Sequence, residues 1–111
     1  MAVTLSNLSK NVVGVRRVTQ ATVTGPASYT TGGEALTAAQ LNQLMPEFAG
    51  VLPATAATKV DFFESDRTNT DQYMILDRAN SKIMYFTNAG QVAGATNLSA
   101  VAIPGRFFYK A

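Results

Sequence analysis

Ser28-Tyr29-Thr30-Thr31-Gly32-Gly33-Glu34-Ala35-Leu36-Thr37-Ala38-Ala39-Gln40-Leu41 is the stretch with the strongest local signals in this sequence. Gly32 and Gly33 can adopt positive φ without a Cβ clash, so the pair predicts a tight reversal of the chain. Thr37 is a typical N-cap residue, and Gln40 lies three positions later, where its side chain can return the hydrogen bond as in a capping box. Pro46 disfavours the α region at the residue before it. The segment therefore predicts a glycine turn and then a helix of about two turns near residues 37–45.

On both sides of this segment, β-branched and aromatic residues recur in short runs that are separated by turn residues. The runs predict strands over residues 12–24, 48–52, 59–64, 72–76, 82–86 and 101–110. The first strand has a place for a bulge at Gly14 or at Arg16-Arg17, and Pro104-Gly105 is expected to bend the last one. Asp and Asn in residues 77–81 favour the turn of a hairpin. Strands at this spacing predict a mainly β fold, a single antiparallel β-sandwich or barrel of jelly-roll-like form with one short helix.

The beginning of the chain differs from the rest. Residues 1–11 are mostly polar and are punctuated by Leu5 and Leu8. Because chain ends are usually loose unless other residues hold them, we expect a flexible N-terminal arm over residues 1–11. The remaining residues, 12–111, are then one β-sandwich domain, since a chain of 111 residues can bury one core.

Composition excludes most catalytic chemistry. The sequence has no cysteine and no histidine, so it lacks thiolate nucleophiles, cysteine-based zinc sites and the commonest general base. The acidic segment 64–71 lacks the central Gly and terminal Glu of a calcium loop, which favours a solvated loop over a metal site. Carboxylate pairs for glycoside hydrolysis can be drawn from Asp61, Glu64, Asp66, Asp71 and Asp77, but no second feature supports any pair. We therefore expect no enzyme, no cofactor and no metal.

Charge and hydropathy exclude two classes of partner. The net charge is +2, and only 14% of the residues are charged, with Arg16-Arg17 as the one basic pair. Nucleic-acid binding needs a basic stripe that neutralises several phosphates, so it is not expected. No apolar run reaches the roughly 18 residues of a membrane span, and the N-terminus lacks a signal peptide, so we expect synthesis and retention in the cytoplasm. A surface so poor in charge suits a protein that contacts other subunits.

The predicted hairpin over 72–86 is apolar on both faces, which half-covered strands are not. Its outer face is therefore covered by another part of the sandwich or contacts another chain. The aromatic run Phe107-Phe108-Tyr109 poses a similar choice. Alternation along a strand directs part of this run into the core and leaves the rest to pack on a partner.

Three patches of the sequence resemble small structural proteins of tailed phages. The most specific is the Tyr-x-Thr-Gly-Gly-Glu-Ala-Leu-Thr-Ala-Ala pattern over residues 29–39. The second is Asp77-Arg78-Ala79-Asn80-Ser81-Lys82-Ile83, and the third is the stretch 92–101 followed by Arg106-Phe107. The chain departs from the family at Ile103-Pro104-Gly105, where an unbroken strand is expected.

The resemblance implies a non-catalytic decoration or cement protein on the outside of a phage capsid. Its partners would be the major capsid protein and further copies of itself, as a homotrimer, without nucleic acid or membrane. It would be made in the host cytoplasm and located in the virion. The candidate partner-binding residues are the two leucines of the arm, the basic pair and the aromatic run: Leu5, Leu8, Arg16, Arg17, Phe107, Phe108 and Tyr109.

Two other functions stay open. A tail or head–neck component would form rings instead of trimers. A carbohydrate-binding β-sandwich for host adsorption would need exposed aromatic side chains, for which Tyr29 is the clear candidate on a loop.

Overall fold

The computed structural model describes residues 3–48, 56–68 and 71–110 of the chain. Eight strands and one α-helix form the regular structure of these residues: β1 (Thr4–Val13), β2 (Arg16–Thr24), β3 (Glu34–Ala35), α1 (Ala38–Leu44), β4 (Val60–Ser65), β5 (Tyr73–Asp77), β6 (Lys82–Thr87), β7 (Gly90–Gln91) and β8 (Ala102–Tyr109). Short 3₁₀ helices cover Pro46–Phe48 and Ala56–Lys59. The predicted mainly β fold with one short helix is confirmed.

The strands form two antiparallel sheets. One has the order β1-β2-β8-β4, and the other has the order β3-β6-β5 with β7 paired to β6. Their inner faces share one core, in which Phe107 and Tyr109 of β8 are buried together with Ile83 and Tyr85 of β6. The described strands do not close into a barrel, and a jelly-roll form is not confirmed.

The predicted single strand over residues 12–24 is wrong. The chain reverses at Gly14, whose φ is +62°, and the two arms of this hairpin are β1 and β2. Residues 4–11, expected in a flexible arm, therefore belong to β1, where Leu5 pairs with Val23 and Lys10 pairs with Thr19. The sequence pattern does not indicate this strand, because a bulge between Ser6 and Ser9 interrupts the alternation of its side chains and most of them are exposed.

The capping segment has the predicted structure. Gln40 N donates to Thr37 Oγ1 at 3.1 Å and Thr37 N donates to Gln40 Oε1 at 3.0 Å, which completes the capping box of α1. The buried Thr19 hydroxyl donates to the carbonyl of Leu44 at 2.6 Å, so β2 satisfies the other end of the helix. The turn before the helix is closed by Gly33 N, which donates to the Thr30 carbonyl at 2.9 Å.

Strand β8 is continuous, so the bend expected at Pro104-Gly105 does not interrupt it. Proline has no N–H to donate to a sheet. Here the Pro104 carbonyl accepts from Asp66 N at 3.1 Å, just past the last residue of β4. The backbone nitrogen of Pro104 therefore lies on the side where β4 has already ended. Its lack of an N–H costs no hydrogen bond between the two strands.

The middle of the chain is predicted in part. Strand β4 lies close to the prediction, and a bulge between Val60 and Phe62 decides its faces. Val60 is buried and Phe63 packs against the core, whereas Phe62 points outward with 53% of its surface exposed. In the predicted strand 48–52, Phe48 instead ends a 3₁₀ helix, and residues 49–52 lie outside the described residues. The hairpin of β5 and β6 is confirmed.

The glycine turn provides a matched pair of substitutions. Both Gly32 and Gly33 have positive φ, but only a Cβ at Gly33 would collide, with Met84 Cγ at 2.9 Å and the Ile83 carbonyl at 3.1 Å. We predict that Gly32→Ala lowers the free energy of unfolding by about 1 kcal/mol, the cost of the backbone conformation alone. Gly33→Ala should cost about 3 kcal/mol because overpacking is added. Urea denaturation of the two variants measures the difference, and equal losses would contradict the packing argument.

Candidate protein-interaction surface

The residues predicted from the sequence to bind a partner are divided between the core and the surface. Phe107 and Tyr109 are fully buried, so they are core residues and cannot contact a partner. Leu5 is half-buried and packs against the same core. Phe107 and Tyr109 are buried because of the strand register, in which inward positions of β8 pair with inward positions of β2 and β4.

The other predicted residues do reach the surface. Leu8 is 39% exposed on β1, and Phe108 is half-exposed on the outer face of β8.

Arg16 is exposed and its Nε lies 3.2 Å from Asp61 Oδ2. Arg17 is half-buried and pairs with Glu47, with Nε and Oε2 3.1 Å apart. The two arginines thus have carboxylate partners within the chain, and their role in binding a partner stays a prediction.

Glu47 is the centre of a charged cluster that holds the edge strand β1 to the end of the core. Lys10 Nζ lies 2.8 Å from both carboxylate oxygens of Glu47 and also contacts the Tyr109 hydroxyl. That hydroxyl donates to Glu47 Oε1 at 2.5 Å. Together with Arg17, the cluster joins β1, β2, β8 and the 3₁₀ helix that contains Glu47.

Titration of these groups reflects that arrangement. Burial opposes the charge of Glu47, but the hydrogen bonds from Lys10 and Tyr109 outweigh it and lower the pKa of the Glu47 carboxyl from 4.5 to about 2. Burial and the hydrogen bond to Glu47 raise the pKa of the Tyr109 hydroxyl. The carboxylate is therefore charged and the phenol neutral over the whole physiological range, which suits a fixed structural contact.

One exposed apolar feature was not predicted as a partner site. Val12, Val13 and Val15, here called the hairpin tip, surround the turn between β1 and β2 and are 61%, 56% and 79% exposed. Strand β1 is also at an edge of its sheet, since it pairs with β2 alone among the described strands. A run of valines around Gly14 is the sequence signal for this tip, but the strand predicted over residues 12–24 includes it without a turn.

The outer face of the β5–β6 hairpin is a second apolar surface. Tyr73 and Phe86 stack with their ring centroids 6.0 Å apart, and Arg67 lies over the Tyr73 ring at 4.3 Å. Ile75 on the same face is 41% exposed. The sequence left two explanations for the apolar outer face of this hairpin, which were coverage by another part of the sandwich and contact with another chain. Other parts of the sandwich cover only part of the face. Contact of the remainder with another chain stays a prediction.

Other kinds of site find less support among the described residues. In that part of the chain, no group of three or more Asp, Glu, His or Cys side chains is arranged to hold a metal ion. In the acidic segment, Glu64 and Asp66 both pair with Arg106, and Asn69 lies outside the described residues. No described helix is long and apolar enough to cross a membrane.

Tyr29 is not the exposed aromatic residue that the carbohydrate-binding alternative needed. It is 2% exposed and packs edge-on against Tyr85, with ring centroids 5.7 Å apart. Its hydroxyl accepts hydrogen bonds from Tyr85 N at 3.2 Å and from Gln91 Nε2 at 2.9 Å. Tyr29 therefore fastens its loop to β6 and β7 from inside the core.

Comparison of the chain with protein-family models, with curated proteins and with solved structures gave no match. The resemblance to phage structural proteins thus rests on the three sequence patches alone.

The Glu47 cluster predicts a specific pH dependence. Because the pKa of Glu47 is lower in the folded chain than its ordinary 4.5, its stabilisation is complete above that pH and is lost as the pH falls towards 2. We predict that Glu47→Gln lowers the free energy of unfolding at pH 7 by about 1 kcal/mol, a value discounted for partial exposure. The variant should also lose less stability than the original chain between these pH values.

Asp61→Asn is the matched control, since it removes a carboxylate from the exposed pair with Arg16. It should change the free energy of unfolding by less than about 0.5 kcal/mol. Urea denaturation at several pH values measures both variants. The same pH profile for Glu47→Gln and the original chain would contradict the role given to the cluster.

Proposed function

We propose that this protein is a non-catalytic structural subunit that decorates the outside of a phage capsid and strengthens its shell. The observation that carries the proposal is the hairpin tip, where Val12 and Val13 at the end of the edge strand β1 and Val15 in the following turn are each more than half exposed. Exposed apolar side chains that cluster in this way favour burial against another protein. The resemblance of three sequence patches to virion proteins supplies the capsid as the partner.

The charges of the molecule support protein contact of this kind. Several of its basic residues already pair with carboxylates of the same chain, as Arg16 does with Asp61 and Arg106 does with Glu64 and Asp66. Such pairing leaves little unbalanced charge to repel a neighbouring subunit. A protein that stabilises a shell needs broad contacts and no reactive group, and the absence of cysteine and histidine from the sequence fits that requirement.

Two separate apolar surfaces suit a subunit that contacts both its own copies and the shell. The hairpin tip lies at the end of one sheet, and the outer face of β5 and β6 belongs to the other sheet. We assign the hairpin tip to contacts within a homotrimer and the β5–β6 face to the major capsid protein. A stable interface buries about 1,600 Å² in total, so the valines would be the centre of a larger contact.

The homotrimer generates a prediction for the hairpin tip. The double substitution Val12→Ser and Val15→Ser should raise the dissociation constant of the trimer at least tenfold, because about 2 kcal/mol of apolar burial is lost. Both side chains are mostly exposed in the single chain, so the fold should be retained. Sedimentation equilibrium measures the mass of the assembly directly.

The matched control is Val12→Ile with Val15→Ile, which keeps an apolar, β-branched tip and should leave the trimer intact. A monomeric original chain at high concentration would overturn the homotrimer. A larger ring would instead favour the tail or head–neck component.

The capsid generates a second prediction, which is independent of the trimer. Mixed with major-capsid shells that have been stripped of minor proteins, the protein should sediment with the shells. Ile75→Ser on the β5–β6 face should reduce the bound amount several-fold, because it places a hydroxyl in an apolar contact. Phe62→Ser on the other sheet, which removes an exposed apolar side chain outside the proposed capsid contact, is the control. Absence of the protein from the shell pellet would reject the decoration function.

A further inference from the structure

The outer face of the four-stranded sheet carries a shallow groove of about 170 Å³, which shares only Val13 of the hairpin tip with the contacts proposed above. It lies across β1, β2 and β8, away from the core. Its volume is well below that of a pocket for a drug-sized molecule, which is about 300 Å³ or more. The groove can therefore hold one small ring of a ligand whose remainder lies along the sheet.

Strand register arranges the side chains of this face in two neighbouring rows. One row is polar and consists of Ser9, Gln20, Arg106 and Glu64, which are paired across all four strands. The next row is largely apolar and consists of Asn11, Val18, Phe108 and Phe62. A ligand in the groove would thus contact hydrogen-bonding groups on one side and aromatic rings on the other.

The apolar row contains an exposed aromatic pair. The ring centroids of Phe62 and Phe108 are 5.4 Å apart, with the ring planes tilted by 51°. Phe108 lines the groove and Phe62 extends the apolar surface onto β4. Because a phenyl face is weakly negative, it attracts the slightly positive C–H groups of a flat, saturated ring.

The polar row offers a ligand no unpaired positive charge. Among the described residues that line the groove, Arg106 alone is charged, and its guanidinium is held by two carboxylates. Nη2 lies 2.7 Å from Asp66 Oδ1, and Nε contacts Glu64 Oε1. These carboxylates offset its charge, so the groove does not favour an anion. The exposed side chains of Ser9, Asn11 and Gln20 add hydroxyl and amide groups, which both donate and accept hydrogen bonds.

We propose that this groove binds one pyranose ring of a neutral polysaccharide or oligosaccharide. A pyranose has C–H groups on its faces and hydroxyls around its edge, which matches an aromatic row beside a row of amides and a hydroxyl. The C–H face packs on Phe108, and the equatorial hydroxyls exchange hydrogen bonds with Gln20 and Asn11. Longer glycans continue across the sheet towards Phe62. The proposed saccharide site lies on a sheet face, whereas the sequence indicated only a loop residue, Tyr29, for carbohydrate binding.

The test is a titration of the full-length, ¹⁵N-labelled protein followed by amide chemical shifts. The probes are cellohexaose, maltohexaose and chitohexaose. We expect a dissociation constant on the order of 1 mM for a contact with one small ring, and each probe is added up to roughly ten times that concentration. We expect at least one probe to shift amides of β1, β2 and β8 around the groove. Inorganic phosphate, the anionic probe, should not shift them.

Substitutions on the sheet face sharpen the test. Gln20→Ala and Phe108→Ala should each raise the dissociation constant about fivefold, the effect of one lost hydrogen bond or ring contact. Thr22→Ala is the matched control, because it lies two residues from Gln20 on the same face of β2 but does not line the groove. Gln20 is exposed, so its substitution should leave the fold intact even if Phe108→Ala does not.

The proposal is overturned if none of the three saccharides shifts the groove amides, if phosphate does so instead, or if Thr22→Ala weakens binding as much as Gln20→Ala. The result of this titration can be distinguished from the result of the experiments that test the decoration function. Val12 and Val15 do not line the groove, so the double serine variant of the hairpin tip should retain saccharide binding even where assembly is lost.

Discussion

The position of β8 in the middle of its sheet is the constraint on which the rest of the fold depends. This last strand pairs with β2 on one side and with β4 on the other, so it joins the N-terminal hairpin to the middle of the chain. Its inward residues Phe107 and Tyr109 fill the core, and the Tyr109 hydroxyl reaches Glu47 at 2.5 Å. Because these pairings are distant in sequence, the four-stranded sheet needs nearly the whole chain before it can form.

The same strand explains how a small core coexists with a functional exterior. Alternation along β8 directs Phe107 inward and Phe108 outward, so neighbouring residues of one aromatic run have opposite roles. The charged side chains Lys10, Arg17 and Glu47 are used at the end of the core, where they hold the edge strand. The exterior of the sheet carries apolar and neutral polar groups, and its charged side chains are paired with one another, as Arg16 is with Asp61 and Arg106 is with Glu64.

The two proposals use neighbouring parts of this exterior, which share Val13. The hairpin tip is apolar and strongly exposed, which favours contact with another protein subunit. The groove combines aromatic and hydrogen-bonding groups in adjacent rows, which favours a ligand with both kinds of surface. Under both proposals the assembly covers the end of the sheet at the hairpin tip, and the saccharide occupies the part of the groove that Gln20, Arg106 and Phe108 form.

The amino-acid sequence by itself determined the local elements whose signals lie within a few residues. The capping box of Thr37 and Gln40, the glycine turn and the β5–β6 hairpin formed as predicted, since each depends on hydrogen bonds or φ preferences of near neighbours. Only the tertiary structure decided that residues 4–11 form an edge strand, that Tyr29 is buried and that Phe62 and Phe108 share an outer face. These outcomes depend on strand register and bulges, which are set by pairing between distant segments and leave no periodic signal in the sequence.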